Sequence, residues 1–164
     1  MAREEHRLVQ QSVLDRLMDR DHGAADEAIS RAQSVRMLKA AVRRDLEWLL
    51  NTRSVAVPPP EGLRELKASL YTYGLGDITS LSADDPKARA RLRSMIEQSI
   101  ATFEPRLSAV QVQEKGTPNG EARQIRFMIQ ALLKMDPTPE RVTFDTVLDL
   151  ASGEYLIQGD SGAR

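Results

Sequence analysis

Gln124-Ile-Arg-Phe-Met-Ile-Gln-Ala131 and Val142-Thr-Phe-Asp-Thr-Val-Leu-Asp-Leu150 decide the fold. In the first, Ile125, Phe127, Ile129 and Ala131 alternate with Gln124, Arg126, Met128 and Gln130. In the second, Val142, Phe144, Thr146, Leu148 and Leu150 alternate with Thr143, Asp145 and Asp149. Successive side chains of a strand point to opposite faces, so this period of two predicts strands with one buried face. Val110 and Val112, interleaved with Gln111 and Gln113, add another. Gly116-Thr-Pro-Asn-Gly120 reads as a hairpin turn between the first two strands, and Ser152-Gly153 leads into a short fourth strand, Glu154 to Gln158.

Upstream the period is helical. Leu92, Met95, Ile96, Ile100 and Phe103 line one side of a helix. Asp84-Asp85-Pro86 supplies its N-cap acid and first-position proline, and Pro105 ends it by Phe103 or Glu104. Leu63, Leu66, Leu70 and Tyr73 predict a preceding helix closed by Gly74, after Val55-Ala-Val-Pro-Pro-Pro60 has forced extended chain. Val35, Leu38, Val42, Leu46, Leu49 and Leu50 predict a helix from Ser34 to Asn51 or Thr52. Ser12-Val-Leu-Asp15, followed by Leu17 and Met18, predicts a short leading helix over 12–19. The expectation is an α+β protein: three main helices and a short leading one, then a small antiparallel sheet of three to four strands. It comprises a flexible segment 1–33, one domain over 34–158, and a disordered tail 159–164.

The chain of 164 residues has 23 Lys and Arg against 24 Asp and Glu, a net charge of −1. Neither half is a basic arm or an acidic tail, so nothing in the charge favours nucleic acid or an anionic membrane. No apolar run approaches the ~18 residues of a membrane span, and the charged start does not read as a secretory signal, so a cytoplasmic location is expected. Eighteen of the basic residues are Arg and five are Lys, a bias that suits forked pairing at protein interfaces. The sequence has no Cys, which excludes disulfides, thiol nucleophiles and cysteine-bound metals.

Little else carries chemistry. His6 and His22 are the only histidines, both in the polar front of the chain and without metal-ligand spacing, so no metal or cofactor is expected. Asp145 and Asp149 stand roughly 13 Å apart along a strand, outside the about 5 to 9.5 Å that glycoside hydrolysis requires. Lys87, Arg89, Arg91 and Arg93 spread over two sides of their helix and read as solvated charge. Glu104-Pro105-Arg106 is the most unusual feature, since an extended segment would place Glu104 and Arg106 on one side, roughly 6.6 Å apart. A local ion pair at a helix exit is its plain reading.

Five segments, in order, resemble the TssE family of type VI secretion baseplate proteins, related to the gene-25-like wedge proteins of contractile phage tails. They are Ser12-Val-Leu-Asp-Arg-Leu17, Val42-Arg-Arg-Asp-Leu-Glu-Trp-Leu-Leu-Asn-Thr-Arg53, Ser69-Leu-Tyr-Thr-Tyr-Gly-Leu75 with Asp77, Ile100-Ala-Thr-Phe-Glu-Pro-Arg-Leu107, and Phe144-Asp-Thr-Val-Leu-Asp-Leu150 with Ser152, Gly153 and Tyr155. The resemblance implies a non-enzymatic subunit at the membrane-proximal baseplate, with wedge partners TssF and TssG and sheath partners TssB and TssC. It implies that Glu104, Pro105 and Arg106 form the assembly motif. It also implies that the sheet from Val110 to Gln158 is similar to the strand-exchange fold of sheath subunits, offering an edge as template. On this reading, reversing Arg106 to Glu leaves the fold intact and abolishes sheath assembly. The alternative is a lysozyme-like, peptidoglycan-cleaving hydrolase with Glu104 as general acid.

Overall fold

Helix α1, Arg31–Asn51, buries Leu38, Val42, Leu46, Leu49 and Leu50, and helix α2, Pro86–Phe103, buries Leu92, Ile96 and Ile100. The computed structural model describes residues 12, 13, 17, 31–78, 85–116 and 124–160, with 159 and 160 described by backbone alone. Helix α2 starts as its sequence dictates. The Asp85 carboxylate accepts the Lys87 backbone N–H at 2.9 Å, and Pro86 takes the first turn, where an N–H would be unsatisfied anyway. It stops at Phe103, because Glu104 precedes a proline and leaves helical geometry.

Four strands follow: β1 Leu107–Lys115, β2 Gln124–Leu133, β3 Glu140–Asp149 and β4 Glu154–Asp160. They form one antiparallel meander, β1-β2-β3-β4, with Ile129 opposite Phe144 and Phe127 opposite Thr146. The alternation seen in sequence is the alternation of burial. Phe127, Ile129, Leu133, Val142, Phe144 and Leu148 join the helical leucines and isoleucines in one core, each such side chain contributing about 1.5–3 kcal/mol. Helix α2 packs on β1 and helix α1 on β4, so both helices cover the same face. The opposite face, with Gln124, Arg126, Met128, Gln130, Thr143 and Asp145, stays partly accessible.

The expected helix through Leu63, Leu66, Leu70 and Tyr73 is not formed, which leaves two main α-helices rather than three among the described residues. Two 3-10 turns, Arg64–Ala68 and Leu70–Thr72, stand in its place and bury nothing. Leu63 and Leu70 are exposed and Tyr73 alone of the stripe packs against the core, and a helix this short does not hold on so little packing. Ser69 breaks the run: it is extended, and its hydroxyl accepts the Tyr71 N–H. Gly74 does have a left-handed φ of 107°, for another reason. Leu75 N–H donates to the Thr52 carbonyl at 2.8 Å, and Ser54 N–H donates to that of Leu75 at 2.9 Å. This backbone contact leaves a Cβ on residue 74 only 2.2 Å from the Thr52 oxygen. The short helix over 12–19 lies outside the described residues except for Ser12, Val13 and Leu17, as does the hairpin turn beyond Gly116.

Candidate functional site

Glu104, Pro105 and Arg106 make the corner between α2 and β1. Glu104 N–H donates to Ile100 and Leu107 N–H to Glu104, so the corner grows out of the last helical turn. The end of β2 pins it from the other side: Lys134 donates its backbone N–H to the Arg106 carbonyl at 2.8 Å and its Nζ to the Pro105 carbonyl at 2.9 Å. Pro105 fixes φ between them and so sets the direction in which the flanking side chains leave.

Glu104 is only 4% exposed, and both of its carboxylate oxygens accept from Arg106. Nε donates to Oε1 at 2.6 Å, Nη2 donates to Oε2, and the Arg106 backbone N–H adds a contact to Oε1 at 3.2 Å. The plain reading of a local ion pair therefore holds, but it is incomplete. Arg106 Nη2 also donates to Asp45 Oδ2 of α1 at 2.6 Å. Arg44 Nε and Nη2 donate to the other Asp45 oxygen at 3.1 and 2.9 Å. Arg44 in turn lies 5.2 Å over the ring of Trp48, which is half exposed.

Two carboxylates and two guanidinium groups thus neutralise one another across α1, α2 and β1. Hydrogen bonding to Glu104, reinforced by Asp45, raises the Arg106 pKa still further against the opposing effect of burial. Tyr73 stands beside the cluster, edge-on to Phe103 at 5.2 Å; burial and then the charges of Asp45 and Glu104 raise its phenol pKa. Forked guanidinium–carboxylate pairing of this kind fixes orientation as well as charge.

The residue that sequence reasoning missed as a partner is Asp45, 61 positions from Arg106. A signal existed: Asp45 lies three residues after Val42 and four before Leu49, so an acid occupies the apolar stripe of its helix. The second carboxylate that the hydrolase reading needed is near Glu104, yet a guanidinium fills the space between the two. Elsewhere, Asp145 pairs with Lys115, Asp149 accepts the Ala151 and Ser152 N–H groups of the β3–β4 turn, and Arg89 reaches Glu114 at 3.3 Å. Among the described residues no group of His, Asp and Glu converges to hold a metal; His6 and His22 lie outside them.

A family model described as baseplate wedge protein gp25 matches residues 36–138, from the early turns of α1 through the end of β2, corner included. A search of curated proteins finds no match.

Proposed function

The chain belongs to the gp25 baseplate wedge family, the family of TssE, and from that membership we propose that it is a non-enzymatic wedge subunit of a type VI secretion baseplate. It docks TssF and TssG through the Glu104-Pro105-Arg106 corner and offers a sheet edge to the TssB–TssC sheath, in the cytoplasm next to the membrane-anchored machinery. The observation that carries this reading is the family match across the corner, together with the three-element ion cluster built there. Arg106 is spent on Glu104 and Asp45, so the motif contributes by holding its surroundings in place. The half-exposed Trp48, with Arg44 stacked on it, is the outward part of the same cluster, and exposed Trp–Arg pairs have the composition of interface anchors. No helix among the described residues is long and apolar enough to cross a membrane.

The test is sheath assembly in cells carrying a fluorescent TssB. Trp48→Ala, a surface change, is expected to reduce sheath foci while leaving the melting curve of the purified chain unchanged, and Arg106→Glu to abolish them. Normal foci from both variants would overturn the assignment. Clearing of purified peptidoglycan that vanishes in Glu104→Gln would overturn the non-enzymatic part alone.

A further inference from the structure

The stretch 54–74 leaves the body of the protein and returns to it at one point. Its ends are held side by side: Leu75 N–H donates to the Thr52 carbonyl, Ser54 N–H donates to that of Leu75, and Arg53 and Leu75 form a parallel bridge. Between the ends lie Val55, Val57, Leu63 and Leu70, each more than half exposed, with Leu70 at 86%. Single apolar residues scattered over a surface are ordinary, whereas a set gathered on one loop marks a place where something binds. Tyr73, edge-on to Phe103, ties the end of the stretch to the core.

This loop carries a helical pattern that the free chain does not follow. At about 100° per residue, Leu63, Leu66 and Leu70 fall within about 60° of one another, Lys67 and Arg64 border that stripe on one side, and Glu65 lies across the helix from it. In the folded chain the same residues form two 3-10 turns, with Leu66 N–H donating to the Leu63 carbonyl and Ser69 N–H to that of Leu66. Passing from such bonds to those of an α-helix moves each donor by one carbonyl and leaves the pinned ends alone. Ser69 stands in the way, since it is extended and its hydroxyl accepts the Tyr71 N–H at 3.2 Å.

We propose that residues 63–70 are a docking element that coils into two turns of α-helix when an apolar groove of a wedge partner receives the three leucines. A helix of this length is marginal alone and becomes stable once its apolar face is buried. The groove carries carboxylates along one rim. Arg64 and Lys67 are exposed and meet no carboxylate among the described residues, so both can pair there. A second copy of this chain would instead set the same two cations against them. The inference rests on the wedge reading above and adds a second contact, on a different element from Trp48.

Titration of the purified TssF–TssG pair into the full chain tests it, with the melting curve of the free chain as control. Leu63→Ser with Leu70→Ser is expected to weaken binding at least about tenfold at unchanged Tm, because both side chains are exposed in the free chain. Ala68→Gly, which disfavours helix, should weaken it about fivefold, and Ser69→Ala, which favours helix and frees the Tyr71 N–H, should strengthen it about threefold. Arg64→Glu with Lys67→Glu should weaken it about tenfold at low salt and less at high salt; unchanged affinity would remove the carboxylates from the description of the groove. Full affinity in the leucine variant would overturn the docking element and leave the wedge assignment standing, whereas no binding by the parent chain would overturn that assignment itself. Weakening by the leucine change alone, with Ala68→Gly and Ser69→Ala at parental affinity, would overturn the coiling. Self-association, or binding to phosphatidylserine vesicles, that the leucine variant abolishes would overturn the choice of partner.

Discussion

Replacing Arg106 by Gln takes away one guanidinium and leaves two carboxylates behind. Glu104, 4% exposed, would keep only the backbone N–H of residue 106, whereas Asp45 retains Arg44 at 2.9 Å. Removing one partner of a buried pair costs about 3–5 kcal/mol, most of it the uncompensated charge left in place. The Arg106 and Asp45 side chains are each 25% exposed, and solvent screening of that part lowers the expectation to about 2–3 kcal/mol. At this chain length each kcal/mol moves Tm by about 2–4 °C, so the drop should be about 4–12 °C. Urea titration followed by far-UV circular dichroism measures it, with an unchanged m-value showing that the native state has kept its extent. Adding Glu104→Gln in the same chain should return about 1–2 kcal/mol, because the stranded charge is then gone. A loss below about 0.5 kcal/mol for Arg106→Gln, the worth of an exposed pair, would refute the reasoning. A double variant no more stable than the single one would refute it equally.

Three further outcomes follow from the backbone and the core. Gly74→Ala should destabilise by at least ~3 kcal/mol, since it adds a Cβ 2.2 Å from the Thr52 oxygen at a left-handed φ; thermal melting within a degree or two of the parent would contradict the close approach. Ala109→Gly should stabilise by about 0.5–1 kcal/mol by relieving the left-handed conformation at the β1 bulge, read from the same urea titration. Tyr155 is buried with no hydrogen-bond partner for its hydroxyl among the described residues, and burial raises its pKa above the ordinary 10.0. The unfolded chain therefore loses that proton first. The Tyr155 contribution is fully present below about pH 10 and declines as pH rises beyond it. Tyr155→Phe should remove this share of the alkaline loss at little or no cost at neutral pH, and an unaltered stability curve at high pH would show that the phenol is not the cause.

The sheet was legible because its signal is local. Ile125, Phe127, Ile129 and Val142, Phe144, Leu148 alternate over runs long enough that a slip of one residue would expose every one of them. Asp85-Pro86 and Pro105 likewise fix the ends of α2 from neighbouring residues alone. The stretch containing Leu63, Leu66 and Leu70 carries the same kind of local signal and misleads, because helical spacing specifies a helix only where a core receives the apolar face, and here Leu63 and Leu70 stay exposed. Gly74 shows the matching failure of inference: the left-handed φ is real, but its cause is Thr52, 22 positions away in the chain. At the corner, sequence spacing brought Glu104 and Arg106 together; the period of α1 marks Asp45 as an acid in an apolar stripe but does not name Arg106 as its partner, and that contact, like the pairing of the Asn51 carboxamide with the Tyr155 backbone, arises only once α1 has packed on the sheet.

That geometry also changes what a substitution at the motif can report. From sequence, reversal of Arg106 was expected to spare the fold, as it would if the side chain projected to a partner. In the folded chain it would gather a third carboxylate beside Glu104 and Asp45, so lost assembly and lost stability would arrive together. Trp48 separates them. Its ring is half exposed and its removal leaves Asp45 held by Arg44 and Arg106, so Trp48→Ala should shift Tm by no more than about 2 °C, in keeping with a surface change of about 0.5 kcal/mol. If that variant assembles sheaths normally while Arg106→Gln loses them in proportion to its lost stability, the corner serves folding alone. If Trp48→Ala loses sheaths at unchanged stability, the ion cluster is a mount, and what it mounts is the surface that the wedge partners touch.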